Sequence, residues 1–431
     1  MNPDRIRQGF FVPVFSTFTS MNPLYNFAAH VTYFILNIYG VFNKKIGLFV
    51  QGRKETFNKL SVLKSEDKVV WFHAASLGEF EQARPIIEEI KKKYSHYKIV
   101  VTFFSPSGYE IRKNYELADV VCYLPFDTQG RVKKFLQMTH PDLAIIVKYE
   151  FWPNLLKELK AQSITTILVS GIFRSTQQFF KSSGGWMRQA LDTFDHFFLQ
   201  DESSQQLLKS IDLENTTIAG DTRLDRVTKI LEQDNTLEFV EEFKNDQYTV
   251  VAGSTWPEGE KSLVEYINQS DNEKFIIAPH SMNQKNIEQL KESIQKSTIL
   301  FTEKDGKRLS DFDVMIVDTI GLLTKIYSYA DSVYIGGGFK TGLHNTLEAA
   351  TFGVPIVIGP EYSKFKEAVD LVTLKGCISV SNQEEFSAVF KRFKSDETFR
   401  KSTGKINSAY IQQNKGATKK IMSYIDKKLN N

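Results

Sequence analysis

Residues 231–255, LEQDNTLEFVEEFKNDQYTVVAGST, decide how this chain is divided. Segment 231–247 is acidic and polar, and a buried-strand pattern, TVVAGST, starts afresh at Thr249. On both sides of it, short β-branched runs alternate with amphipathic helical stretches, the pattern of parallel sheets with crossover helices. Upstream the runs fall at 69–74, 98–103, 120–124, 143–148, 165–170, 197–200 and 216–219. Downstream they fall at 249–253, 275–278, 298–301, 314–317, 332–335, 355–358 and 377–380. The pattern predicts an α/β protein of two doubly wound, Rossmann-like domains facing each other across a cleft, with ligands at the carboxyl ends of the strands. The first domain is expected at 51–230, a linker at 231–247, and the second domain, with a terminal helix, at 248–431.

Composition agrees with a large globular core. Of 431 residues, 42% are hydrophobic and 24% charged, which excludes a disordered chain and a polytopic transporter. The net charge is +3, but residues 1–60 hold seven basic side chains against Asp4 and Glu55. A basic N-terminal piece on a slightly acidic body favours an anionic membrane surface over nucleic acid. Cys122 and Cys377 are too few for a disulfide framework or a thiolate metal site, and are expected as buried thiols in a reducing compartment.

Leu24 to Phe42 (LYNFAAHVTYFILNIYGVF) carries no charge and, as a helix, would be roughly 28 Å long, about the thickness of a bilayer's hydrocarbon core. Residues 21–50 are therefore expected to be a hydrophobic anchor helix, spanning or half-inserted; the alternative is an ordinary buried helix. Lys44 and Lys45 follow at once, which leaves the body on the cytoplasmic side if the segment spans. No small-residue cleavage pattern follows, which argues against a signal peptide. Residues 1–20 form an aromatic, Pro-containing tail without a clear period.

Three strand ends could carry chemistry. WFHAASLGE, 71–79, ends a strand in small residues and delivers Glu79 to a helix start, where the positive helix end favours the carboxylate that could accept a proton from an attacking hydroxyl. Its structural alternative is a helix cap. Lys148 and Glu150 in KYEFWPN, 148–154, would share a face of an extended segment, able to pair with each other or to bind a ligand. Trp152 and Pro153 read as packing and helix-start residues. In the second half, Gly336, Gly337 and Gly338 after a strand expose backbone N–H groups to a phosphate. His344 and Glu348, four apart, are expected on one helix face, the imidazole toward phosphate and the carboxylate toward a ribose diol. Ser254, Thr255 and His280 close two further strands and would line the same cleft. There is no HExxH or CxxC, so no catalytic metal is expected, and no GxGxxG, GxxxxGK[ST] or GxSxG, which weighs against hydride transfer, ATP chemistry and serine hydrolysis.

Taken together, WFHAASLGE, EFWPN, GSTWPEGE and IGGGFKTGLHNTLEAATFGVPIVIGP resemble the 3-deoxy-D-manno-octulosonic acid (Kdo) transferases of lipopolysaccharide synthesis, in that family's order along nearly the whole chain. The resemblance implies a GT-B glycosyltransferase at the cytoplasmic face of the inner membrane that moves Kdo from CMP-Kdo to the lipid A precursor, with inversion and without a metal or other cofactor. It implies Glu79 as catalytic base, with His73, Ser76 and Gly78 around the acceptor. On the donor side it implies Ser254, Thr255, Gly337, Gly338, His344, Asn345 and Glu348, the last holding the ribose. The sequence departs from the family at Lys148 and Tyr149, where relatives often have an acidic residue and Thr, and after Pro279, where an Arg-His pair usually follows but His280-Ser281 lacks the Arg. Arg223 and Arg174 are the candidates to replace the missing basic contact, Arg174 near the first-domain strand ends. No long heptad run is present, which favours a monomer. A UDP-sugar transferase or epimerase, or a membrane-tethered binding protein without chemistry, would be the alternatives.

Overall fold

The computed structural model describes residues 21–340 and 342–430, so the tail at 1–20 lies outside the described residues. The chain forms two compact units: one runs to Thr222 and resumes at Gly416, the other spans Arg223–Lys415.

The first unit is built on β1 (Val69–Ala74), β2 (Lys98–Phe103), β3 (Val120–Tyr123), β4 (Leu143–Val147), β5 (Thr165–Gly171), β6 (His196–Leu199) and β7 (Thr216–Ile218). They pair in parallel in the order β3-β2-β1-β4-β5-β6-β7. Every residue of β1 and β4 is buried, because crossover helices cover both faces of a parallel sheet and its central strands need apolar side chains on each. Strand order reverses between β1 and β4, and their carboxyl ends therefore splay crossovers to opposite faces and open a crevice between them.

The second unit repeats the plan with β8 (Thr249–Thr255), β9 (Lys274–Pro279), β10 (Thr298–Leu300), β11 (Val314–Ile316), β12 (Ser332–Ile335), β13 (Ile356–Ile358) and β14 (Cys377–Ser379). Their order is β10-β11-β9-β8-β12-β13-β14, so here the reversal lies between β8 and β12. Cys122 and Cys377 are buried free thiols in the two sheets.

The boundaries differ from the sequence expectation. The division falls at Thr222/Arg223, and 231–247 is no linker: it holds the helix Glu238–Lys244, whose Val240 and Phe243 sit in the second unit's core while Lys244 pairs with Asp331 at 2.9 Å. The last helix, Ala417–Leu429, belongs to the first unit. Its Ala417, Ile421 and Ile425, spaced one turn apart, join the core that holds Ile87 and Ile90 of helix Leu77–Lys93, and Asp426 accepts from Tyr94 Oη at 2.8 Å. At about 2 kcal/mol for each fully buried aliphatic side chain, that stripe fixes which unit the helix covers.

At the N-terminus, Met21–Phe42 is one 22-residue helix. No helix among the described residues is long and apolar enough to cross a membrane, so the spanning form of the anchor is not present in them. The polar interruptions explain why. Tyr25 Oη donates to Asp127 at 2.8 Å, Asn154 donates to Asn26 Oδ1 at 3.0 Å, and Tyr33 lies edge-on to Phe126 and beneath Arg131. One face is thus tied to the first unit, whereas Phe27, Phe34, Tyr39 and Phe42 are exposed on the helix surface.

Candidate active site

In the first unit the chemistry gathers at the β1/β4 reversal. β1 ends at Ala74, and Ser76, in extended conformation, opens helix Leu77–Lys93. Glu79 turns back over that start: its Oε2 accepts the N–H of Ala75 at 2.6 Å and of Ser76 at 3.1 Å. This is the reaching-back half of a capping box, so the structural role considered for Glu79 is present. It does not exhaust the side chain, because both bonds fall on Oε2 and leave Oε1 to meet a proton donor. Burial raises the Glu79 carboxyl above its ordinary value, and the Glu150 charge adds to this, against the opposing pull of Lys148, the Ala75 N–H and His73.

His73, fully buried on β1, touches Thr102 Oγ1 through Nδ1 at 2.9 Å and Glu150 Oε2 through Nε2 at 3.1 Å. Trp152 Nε1 donates to the same Glu150 oxygen at 2.7 Å. Burial pushes Glu150 up, but the hydrogen bond and charge of His73, with the Trp152 N–H, outweigh it and leave its carboxyl below the ordinary range. The expectation that Lys148 and Glu150 share one face of an extended segment does not hold. β4 ends at Val147 and Lys148 has φ +61°, which breaks the strand alternation and turns Glu150 onto His73. Gly78 faces open space: a Cβ there would meet nothing within 4 Å. Arg174, exposed in the loop after β5, lends its charge to Tyr149.

In the second unit the candidates collect at the β8/β12 reversal. Ser254 has φ +51°, a kink that sets the β8 end out of register, and Thr255 Oγ1 donates to Glu260 at 2.7 Å. The glycines are needed there for close approach. A Cβ on Gly336 would lie 2.1 Å from the Ser254 carbonyl oxygen, one on Gly338 would lie 2.8 Å from Gly359 N, and Gly337 has φ +91°. His344 and Glu348 do not share a helix face. The helix begins only at Leu347, because the His344 N–H bonds back to Gly336 O at 3.2 Å and Asn345 Oδ1 takes the Leu347 N–H at 3.1 Å. That helix, Leu347–Thr351, is five residues long, too short for a substantial dipole, so charge stabilisation falls to side chains and loop N–H groups. Glu348 accepts from Thr324 at 2.7 Å and from Asn345 at 3.0 Å. His344 meets Trp256 Nε1 at 2.8 Å, and the ring of His280 packs against both from one side, 4.6 Å from Trp256 and 4.4 Å from His344. Arg223 forms an ion pair with Glu367 at 3.0 Å.

Sequence reasoning missed Thr102 and Thr324 as members of these clusters, and gave Trp152 and Trp256 no part in them. Thr102 and Thr324 lie far along the chain and carry no local signal, whereas GSTWP did place Trp256 immediately after a strand end.

Residues 50–226 match the family profile of 3-deoxy-D-manno-octulosonic-acid transferase. Curated relatives bearing the name 3-deoxy-D-manno-octulosonic acid transferase include that of Rickettsia bellii, 28% identical over 74% of this chain and 77% of that protein. Those of Aquifex aeolicus and Haemophilus influenzae are 27% identical over 77% and 87%, and 24% identical over 83% and 86%, respectively. Among solved structures, the UDP-GlcNAc 2-epimerase of Neisseria meningitidis superposes with a TM-score of 0.58 at 16% identity, covering 84% of this chain and all (100%) of that one. A glycosyltransferase from Rickettsia africae superposes at 0.55 and 12% identity, covering 85% and 100%, and these two likenesses speak for the fold. The profile match and the shared identity along most of the chain make this protein similar to the Kdo transferases and support a glycosyltransferase, on a fold of two parallel-sheet units.

Proposed function

We propose that this glycosyltransferase moves Kdo from CMP-Kdo to a sugar hydroxyl of the lipid A precursor, with inversion and without a metal, at the cytoplasmic face of the inner membrane. The observation that carries the reading is Glu79: a half-buried carboxylate at the β1/β4 reversal whose two backbone N–H contacts both fall on Oε2, leaving Oε1 for a substrate. Pinning fixes the base in one rotamer, and a raised affinity for the proton makes it a better acceptor once ionised. As the hydroxyl oxygen bonds to the anomeric carbon of Kdo, its proton passes to Glu79, and the bond to the CMP phosphate oxygen breaks on the opposite face. Phosphate leaves without being protonated, so the donor side has only to hold charge. His344, Asn345 and the glycine loop do this, and Glu348, oriented by Thr324 and Asn345, receives the ribose diol. His73, Ser76, Gly78, Lys148, Glu150 and Arg174 serve the acceptor side, where open space at Gly78 admits a sugar. The helix Met21–Phe42 lies in the membrane interface on its exposed apolar face, the half-inserted form of anchoring.

The test is product formation by the purified, detergent-solubilised full chain with CMP-Kdo and tetraacylated lipid A precursor, beside Glu79→Ala and a panel of UDP-sugars. Mass spectrometry counts the sugars added. Kdo addition by the wild type and none by the variant is expected. Consumption of a UDP-sugar with CMP-Kdo inert would overturn the donor and acceptor together.

A further inference from the structure

Trp256 follows the β8 end, and its indole Nε1 lies 2.8 Å from His344 Nε2. Indole nitrogen can only donate. His344 Nε2 must therefore be the bare, accepting nitrogen, because an imidazolium or an Nε2–H tautomer would set two hydrogens against each other. A neutral imidazole carries its single proton on one nitrogen, so it stands on Nδ1. The ring is further held by its near-coplanar alignment with Trp256 and by packing against His280. It lies 12° from the plane of Trp256, and the His280 ring sits 4.4 Å from it.

We propose that Trp256 is a positioning residue, which through this bond fixes His344 as the neutral tautomer protonated on Nδ1 and so presents an uncharged, aimed N–H donor to the phosphate of the sugar donor. The proposal rests on the donor-side placing of His344 made above, and adds to it the group that sets its protonation and orientation. Burial, with His280 beside it, pushes His344 down to about 4, which keeps the ring neutral at the pH of the cytoplasm. An uncharged donor suits the chemistry. A departing phosphate needs no proton, only a hydrogen bond already in place as charge builds on its oxygen, and a ring held at its Nε2 edge by Trp256 and on one face by His280 needs no reorientation to supply it.

Long-range proton–nitrogen spectra of the histidine-labelled full chain in micelles read the tautomer directly, with the His344 signal assigned by its loss in His344→Asn. We expect an unprotonated Nε2 and a protonated Nδ1. Trp256→Phe keeps a flat ring against His280 but removes the N–H; His344 should then shift to the Nε2–H form, with the KM for CMP-Kdo raised about ten-fold. His344→Asn, whose amide N–H can take the place of Nδ1–H, should keep more affinity for CMP-Kdo than His344→Gln. A protonated Nε2 in the wild type, or an unchanged tautomer in Trp256→Phe, overturns the proposal. A changed tautomer with unchanged KM overturns the presentation to phosphate. Inert CMP-Kdo would instead defeat the function proposed above, while the spectra, which need no substrate, still decide what Trp256 does to His344.

Discussion

His73 Nε2 lies 3.1 Å from Glu150 Oε2, joining the end of β1 to the turn after β4 across the point where strand order reverses. The same oxygen takes the Trp152 indole N–H, so Glu150 is held as a fixed negative charge beside Glu79. That charge is the second contributor, after burial, to the raised Glu79 carboxyl.

A pH profile should show this coupling. A base works only when ionised, so kcat/KM must fall as pH drops through the Glu79 value, and that acid limb should stand above the ordinary glutamate range. Glu150→Gln keeps an oxygen for His73 and Trp152 but removes the charge. The limb should move to lower pH in this variant, and an unmoved limb would mean that Glu79 is not the group being titrated.

Glu79, the proposed base, is also a helix cap, and two substitutions separate the roles. Glu79→Gln retains an oxygen to accept from Ala75 and Ser76, and should lower kcat by about 10²- to 10⁴-fold with little change in Tm. Glu79→Ala loses the cap as well, and thermal unfolding should report about 1 kcal/mol less stability. Equal Tm losses in both variants, with activity retained in Glu79→Gln, would reduce the residue to its structural role.

Strand ends were legible in the sequence because parallel strands buried on both faces read as unbroken apolar runs, and a change to small or charged residues marks where they leave the sheet. This placed Glu79, Glu150, Ser254 and Gly337 at the correct ends of β1, β4, β8 and β12. What could not be read was conformation set by single residues. The positive φ of Lys148 turned Glu150 away from the strand face, and the Asn345 side chain delayed the helix so that His344 and Glu348 separated. Partners distant in sequence were equally hidden: Asp426 on Tyr94 moved the last helix to the first unit, and Tyr25 on Asp127 explained polar residues inside an apolar run.

Two glycines should respond in opposite ways. Gly336→Ala would place a methyl 2.1 Å from the Ser254 carbonyl oxygen, a backbone atom that cannot swing aside, so the β8 and β12 ends must part. A loss of about 2 kcal/mol or more and weakened CMP-Kdo binding are expected by thermal unfolding and calorimetry. Gly78→Ala enters open space and should leave Tm unchanged or slightly raised, since alanine favours helix. A fall in transfer rate in that variant would then report contact with the acceptor, not a damaged fold.

The N-terminal helix offers the most direct test of where the protein works. Phe34 is 67% exposed and Phe42 82%, on a helix whose other face is tied down by Tyr25, Asn26 and Tyr33. Large side chains left in water at that density call for an apolar medium, and Lys44, just beyond, would meet anionic headgroups. The wild type should therefore co-sediment with anionic liposomes. Phe34→Asp combined with Phe42→Asp should weaken this by about a hundred-fold, from the lost burial of two aromatic rings. Because neither residue belongs to the Glu79 cluster, the double variant should still transfer Kdo to an acceptor dispersed in micelles. Undiminished co-sedimentation would assign membrane contact to another surface, and leave this face of the helix for a different partner.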